Sequence, residues 1–221
     1  MLNLEDYVVS INGPQWFFGY DVVFQAIFTA ILIFVFLMSM KAYRFSEDKK
    51  FKYFGLAFLS IALAYGIHAF SNLMLYLEVY DAVVRGINVA NLFYLMHIFF
   101  SLIGYGVLLL ISMKVKSKRL VALLLSLIGL FIIFSFQYYL KFHLISLVLL
   151  LFIASQFIEN YQKKKTFNTK LVFLVFLFLS LAEVLFIFVV ASGLYYVLAY
   201  ALQLIGYILM LYFLLRVVKH V

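Results

Sequence analysis

The chain has 221 residues, of which 68% are hydrophobic and 12% are charged, whereas a soluble domain is about half apolar and about a quarter charged. A water-soluble fold of this length cannot bury so much apolar surface, so we expect an integral membrane protein. The formal net charge is +8 and there is no cysteine, which excludes disulfides, thiolate metal sites and thiol catalysis.

Several stretches of the chain are apolar and long enough to cross a bilayer, which takes about 20 residues in a helix. In chain order the seven predicted spans are 19–40, 53–75, 90–113, 120–140, 143–160, 171–192 and 195–215. The loops between them are too short for a soluble domain. The sequence therefore predicts an all-α membrane protein, a single seven-transmembrane helix bundle over residues 1–221.

Basic residues gather on one side of the predicted spans. The segments 41–52, 114–119, 162–170 and 216–221 hold all of the 17 Lys and Arg residues except Arg85 and Lys141. Because cytoplasmic loops are rich in Lys and Arg, we expect the N-terminus outside and the C-terminus inside (N-out/C-in). The basic charge then follows from topology and predicts no nucleic-acid partner; anionic membrane lipid is the expected neighbour. A six-span arrangement with one re-entrant segment would break this charge alternation.

Short motifs recur along the chain. The third span contains LIGY at Leu102–Tyr105, and the seventh contains LIGY at Leu204–Tyr207. The second span reads FLSIA at Phe58–Ala62, and the sixth reads FLSLA at Phe178–Ala182. Chance matches are common in a chain rich in Leu, Ile and Phe, but parallel repeats occur in transporters. The motifs favour a 3+1+3 parallel repeat, with the fourth span joining two triplets.

Polar side chains recur at one depth within the spans. Counted at about 1.5 Å per residue, they lie roughly 20–27 Å above the inner boundary: Gln25, His68, His97, Gln137, Glu183 and Gln203. A turn further out, near the mouth, are Asp21, Asn72, Asn91 and His143. Ionisable groups in a membrane face the bundle interior. The pattern therefore predicts a ligand pocket in the outer half, or alternatively interhelical hydrogen bonds.

For this pocket we predict the lining residues Gln25, His68, Asn72, Tyr94, His97, Glu183, Tyr200 and Gln203. Glu183 is the only formal charge well inside a span, and intramembrane carboxylates are commonly functional. Its expected partners are Gln203 and the His68–His97 level. Since these two histidines stand at similar depth on neighbouring spans, a haem held by both, or a zinc site completed by Glu183, is an alternative. No other cofactor and no catalytic residue is predicted.

The first predicted inner loop resembles a known family. The stretch Lys41–Phe58, KAYRFSEDKKFKYFGLAF, is similar to the first cytoplasmic loop of archaeal and bacterial seven-helix membrane sensor modules, the N-terminal type of histidine kinases. The resemblance covers the first two spans only. It implies a sensor, and because no kinase domain follows Val221 in this sequence, it implies signalling through a separate cytoplasmic partner.

The sequence thus predicts a receptor-like, non-enzymatic sensor in the plasma membrane that binds a small ligand in its outer half. A small-solute or proton-coupled transporter is the first alternative, and a membrane-embedded haem or metal enzyme is the second. A homo-oligomer is a further expected form of the protein.

Overall fold

The computed structural model describes residues 14–17, 19–76, 89–114, 129 and 138–219. This part of the chain is all-α, with six long helices: α1 Tyr20–Ser46, α2 Lys49–Tyr76, α3 Val89–Ser112, α4 Tyr138–Lys164, α5 Phe167–Ile187 and α6 Leu194–Lys219. Two short 3-10 helices lie at Gln15–Phe17 and Phe188–Val190. The six long helices are long and apolar enough to cross a membrane. The described chain is therefore that of a multi-pass membrane protein.

Six of the predicted spans correspond to these helices. The predicted span 120–140 lies outside the described residues except at Gly129 and at its end, and the residues from Tyr138 onward belong to α4. The start predicted for α4, residue 143, is therefore wrong by more than one turn. Five helices (α1, α2, α4, α5 and α6) also extend past the predicted spans into basic segments. Long Lys and Arg side chains permit this, because they reach from a helical backbone toward the headgroups.

The six described helices form a closed ring in chain order. Each helix packs against the next one described, and α6 packs against α1. Packing is more extensive within α1–α2–α3 and within α4–α5–α6 than between α3 and α4 or between α6 and α1. The six described helices therefore form two three-helix units that meet along two weaker seams.

The helices that meet at these seams run parallel. The ring of His97, in the first half of α3, lies 5.4 Å from that of Phe142 near the start of α4. Gln25 near the start of α1 is hydrogen-bonded to Tyr200 near the start of α6. The other neighbouring pairs are antiparallel. Every Lys and Arg in the described residues except Lys141 therefore lies toward one end of the bundle, which we call the basic end. The opposite end is the distal end.

Two glycines allow close approach within the three-helix units. A Cβ on Gly104 of α3 would clash with Ile61 and would lie 2.8 Å from the carbonyl oxygen of Ala57 on α2. A Cβ on Gly206 of α6 would lie 3.0 Å from Leu179 on α5. Small residues commonly occupy such interfaces in membrane bundles because they let backbones come together. Both LIGY motifs thus bring the third helix of a unit against the second.

Candidate functional site

Polar side chains from all six long helices are buried or half-buried together toward the distal end. We call this set the polar layer: Asp21, Gln25, His68, Asn72, Tyr94, His97, His143, Glu183, Tyr196, Tyr200 and Gln203. Toward the basic end the described core is filled mainly by apolar side chains, among them Leu32, Val35, Ile153 and Met210. The buried polar side chains of the described helices are therefore concentrated in the distal half of the bundle.

Asp21 anchors the polar layer at the start of α1. Its Oδ1 accepts the backbone N–H groups of Gly19 (3.0 Å) and Val22 (2.8 Å), and its Oδ2 accepts from Nδ2 of Asn72 (2.9 Å). The same nitrogen lies 3.4 Å from Oε1 of Gln25. A carboxylate is favoured here because the first turn of a helix has free N–H groups and a positive dipole end. Asp21 thus stabilises the start of α1 and ties it to α2.

Gln25 joins three helices within the layer. Its Nε2 donates to the hydroxyl of Tyr200 on α6 (2.7 Å) and lies 3.3 Å from Nδ1 of His68 on α2. The Tyr200 hydroxyl is in turn 3.2 Å from that of Tyr196. One amide therefore connects the seam between α1 and α6 to the interior of the first three-helix unit.

The two central histidines have opposite tautomers. The Asp21 carboxylate can only accept hydrogen bonds, so the amide nitrogen of Asn72 faces it and also faces Oε1 of Gln25. Since Oε1 of Gln25 points to Asn72, the N–H of Gln25 points to His68. Nδ1 of His68 is then an acceptor, and the ring proton is on Nε2. His97 Nδ1 lies 3.1 Å from the carbonyl oxygen of Ala64, which also only accepts, so its proton is on Nδ1. The two rings, with centroids 4.5 Å apart, thus offer one donor and one acceptor.

His143 and Glu183 form a buried pair between α4 and α5. His143 Nδ1 lies 2.6 Å from Glu183 Oε2, and the two side chains are 7% and 2% exposed. The ring of Phe186 stacks on the imidazole at 4.7 Å, and that of Tyr139 meets it edge-on at 4.4 Å. The Tyr139 hydroxyl donates to the carbonyl oxygen of Phe186 (3.2 Å). The pair is therefore enclosed by aromatic rings and hydrogen-bonded across the interface of its two helices.

An aromatic path joins this pair to the hydrogen-bonded residues around Gln25 and to the surface. Phe186 contacts Tyr196 and Tyr200 with ring centroids 5.8 and 5.6 Å apart. The same two tyrosines contact Phe17, at 5.9 and 5.8 Å. Phe17 is buried, whereas the adjacent Trp16, whose ring is 5.6 Å away, is 61% exposed. The path therefore ends at the single tryptophan of the chain.

Two buried polar atoms of the layer have unused hydrogen-bonding capacity. The Tyr94 hydroxyl and Oε1 of Gln203 have no hydrogen-bond partner among the described residues. Buried polar groups are usually satisfied, so both atoms mark positions where a further polar group would be favoured. Tyr94 also packs against His68 and His97, with centroids 5.7 and 6.0 Å apart.

Most of the predicted site residues come together in the structure. Direct hydrogen bonds or ring contacts link Gln25, His68, Asn72, Tyr94, His97 and Tyr200. Glu183 belongs to the same layer, but the partner found for it is His143, not Gln203 or the His68–His97 level as predicted. Gln137 and the side chain of Asn91 lie outside what the structure describes.

Sequence reasoning left His143 and Asp21 out of the site. His143 was predicted to begin a span, at the mouth, whereas α4 begins at Tyr138 and carries His143 inward. A usable signal was present, because Tyr139, Phe142, His143 and Ser146 follow the spacing of one helix face. The sequence places Asp21 at the mouth, and its role as an anchor depends on where α1 begins.

The metal and haem alternative receives little support from this geometry. Within the described ranges, no three His, Asp or Glu residues stand close enough to hold a metal ion. A metal bound to Nε2 of His68 would also require the ring proton to move to Nδ1, where Gln25 donates. His97 has the arrangement typical of a metal ligand, with Nδ1–H on a carbonyl, but His68 does not.

A groove of 280 Å³ lies between α1 and α2 on the lipid-facing side, lined by Thr29, Ile33, Leu63, Gly66, Phe70 and neighbouring residues. His68 is five positions from Leu63, which puts it on nearly the opposite face of α2. The groove is therefore separate from the polar layer, and the pocket predicted within that layer stays a prediction.

The chain was compared with protein-family models, with curated proteins and with solved structures. No match was found in any of these comparisons. The polar layer is therefore the feature from which a function can be inferred.

Proposed function

We propose that this protein is a receptor-like membrane sensor. Its polar layer binds a small ligand from outside the cell, and its basic end passes the resulting change to a separate cytoplasmic partner. The observation that carries the proposal is that all six described helices contribute polar side chains to one buried layer. A ligand that binds such a layer in one arrangement of the helices shifts the whole bundle toward it. The resemblance of Lys41–Phe58 to sensor modules points the same way.

Seven crossings are part of this proposal. An alternating chain places its first and last crossings parallel, as α1 and α6 are, only when the number of crossings is odd. Since α3 ends at the basic end with Ser112 and α4 starts at the distal end with Tyr138, we propose that one further crossing lies between them. We assign it to the stretch 113–137, which precedes α4, contains most of the predicted span 120–140 and is long enough for the about 20 residues that a crossing takes.

The charge distribution supports the N-out/C-in orientation. Lys and Arg of the described chain lie toward the basic end, with Lys141 as the exception, and such loops stay in the cytoplasm. The polar layer then faces the outside of the plasma membrane. Exposed lysines at the basic end, such as Lys49 and Lys50, meet anionic lipid or the signalling partner.

A small-solute or proton-coupled transporter is the second candidate, and one observation favours it. The bundle is built from two three-helix units with weaker seams between them, and each unit has a glycine contact at its LIGY motif, Gly104 or Gly206. Transporters with parallel repeats move such units against each other around a central site. In that case the polar layer would open to both sides of the membrane in turn.

Sided thiol labelling tests the sensor against the transporter. The chain has no cysteine, so a single one can be introduced without background. In proteoliposomes of known orientation, we expect half-buried His68→Cys to react with a small, membrane-impermeant methanethiosulfonate from the distal side only. The matched control is Ser39→Cys, fully buried toward the basic end, which should stay unreactive from that side.

The two other possible outcomes would contradict the sensor proposal in different ways. Reaction of His68→Cys from both sides would identify a transporter. Reaction no faster than that of Ser39→Cys would show that the layer is closed to the outside, and the sensor proposal would fail.

A further inference from the structure

Within the polar layer, the His143–Glu183 pair differs from its neighbours. Asp21 and Gln25 belong to a chain of hydrogen bonds whose direction is fixed. Glu183 has one described partner, and that partner is an imidazole. Histidine is the side chain whose ordinary charge change falls within the physiological pH range. Of the three described histidines in the layer, His143 is the one hydrogen-bonded to a carboxylate, whereas His68 contacts an amide and His97 a backbone carbonyl. The pair is therefore the candidate within the layer for a response to proton concentration.

We propose that the ligand of the sensor is the proton, bound by the His143–Glu183 pair; this inference rests on the sensor function proposed above. With a neutral imidazole, Nδ1–H of His143 donates to the carboxylate, and the pair carries one negative charge. A proton added at Nε2 makes the imidazolium balance the carboxylate. A proton needs access for water from the distal end but no space between the two side chains, which fits facing atoms 2.6 Å apart.

The effect of a change in the charge of this pair depends on the side chains that surround it. Among the described residues, the titratable side chains within electrostatic reach of Glu183 or His143 come from α2, α3 and α4 and include no Lys or Arg: Tyr65, His68, Tyr94, His97, Tyr105 and Tyr139. From α6, Tyr196 and Tyr200 approach through Phe186. Lys141 is two positions from His143, which directs it to nearly the opposite face of α4. An uncompensated buried charge is unfavourable, so uptake of one proton changes the electrostatic balance of the layer.

The aromatic path gives this change a route to the surface. Phe186 is stacked on the imidazole of His143 and contacts Tyr200. Tyr200 packs against Phe17, whose ring touches that of Trp16. A displacement of the His143 ring therefore alters the packing beneath the tryptophan, and Trp16 serves as a built-in reporter.

The test follows Trp16 emission in the full chain in lipid nanodiscs, titrated between about pH 5 and pH 8. We expect one sigmoidal transition in the wild-type chain, and its loss in both Glu183→Gln and His143→Gln. The control Glu159→Gln removes an exposed carboxylate toward the basic end and should keep the transition. A transition that persists unchanged in both pair variants would overturn the proposal.

Nitrogen-15 NMR of the wild-type chain provides a test that does not depend on the folding of variants. The chain has four histidines. We expect His143 to change protonation over the same pH range as the Trp16 transition, while His68 and His97 keep their tautomers. If His143 holds one protonation state through that range, the proton proposal is wrong.

The two proposals fail in distinguishable ways. Absence of the Trp16 transition, together with distal labelling of His68→Cys, would end the proton proposal and leave the sensor. Absence of distal labelling would end the sensor itself, whatever the behaviour of Trp16.

Discussion

At the scale of single residues, Asp21 shows how one carboxylate orders a network. Three donors converge on it, from Gly19, Val22 and Asn72. Because it can only accept, it determines which way the amides point, and through Gln25 it determines the tautomer of His68. The sequence contained the residues of this network but not its direction, since that direction follows from where α1 begins.

Asp21→Asn should lower the free energy of unfolding by about 1–3 kcal/mol, because the amide places a donor against donors and leaves a buried group unsatisfied. Chemical unfolding followed by circular dichroism measures this change. The matched control is Asp48→Asn in the turn between α1 and α2, where the side chain is 45% exposed and accepts the N–H of Lys50. Asn caps a helix about as well as Asp, so the control should cost about 0.5 kcal/mol or less. Equal losses in the two variants would show that Asp21 is not the anchor.

The partner of Glu183 could not be predicted from the sequence. Counting along the spans predicted a common depth for Glu183, His68 and His97, and all three lie in the polar layer. Counting gives depth along a helix but not the direction around it. Glu183 contacts His143 because α4 packs against α5 and begins at Tyr138, and neither fact follows from apolar length.

At the scale of helices, apolar length predicted the six long helices that the structure describes, whereas the close contacts between helices needed the structure. Gly66 and Gly104 both lie within long apolar helices, and the sequence alone does not show which of them is at a close contact. In the structure Gly104 lies against the backbone of α2, whereas Gly66 borders the lipid-facing groove. The same substitution should therefore have opposite consequences at the two positions.

Gly104→Ala should destabilise the bundle by about 1–3 kcal/mol through overpacking against Ile61 and Ala57. Gly66→Ala is the control: its Cβ would lie 3.6 Å from Thr29, an ordinary contact, and alanine favours a helix by up to about 1 kcal/mol over glycine. Unfolding of the two variants in mixed micelles measures the difference. A loss of stability in Gly66→Ala as large as that in Gly104→Ala would refute the assignment of the close contact.

At the scale of the whole molecule, the basic segments predicted which helix ends lie together, because loop charge reflects membrane topology. Closure of the ring by α6 on α1 was not predictable, since it depends on contacts such as that of Gln25 with Tyr200 across most of the chain. That contact brings the hydrogen-bonded residues around Gln25 to the aromatic path from His143 and Glu183. The site is thus a property of the assembled ring, and its residues are scattered in sequence for that reason.

The central claim is that the polar layer lies at the outer face of the membrane, and sided labelling of intact cells tests it most directly. Ala191 lies in the exposed turn between α5 and α6 at the distal end, and Glu47 lies in the exposed turn between α1 and α2 at the basic end. With a membrane-impermeant maleimide, we predict that Ala191→Cys is modified in intact cells and that Glu47→Cys is modified only after permeabilisation. The reverse pattern would put the layer on the cytoplasmic side and contradict the account.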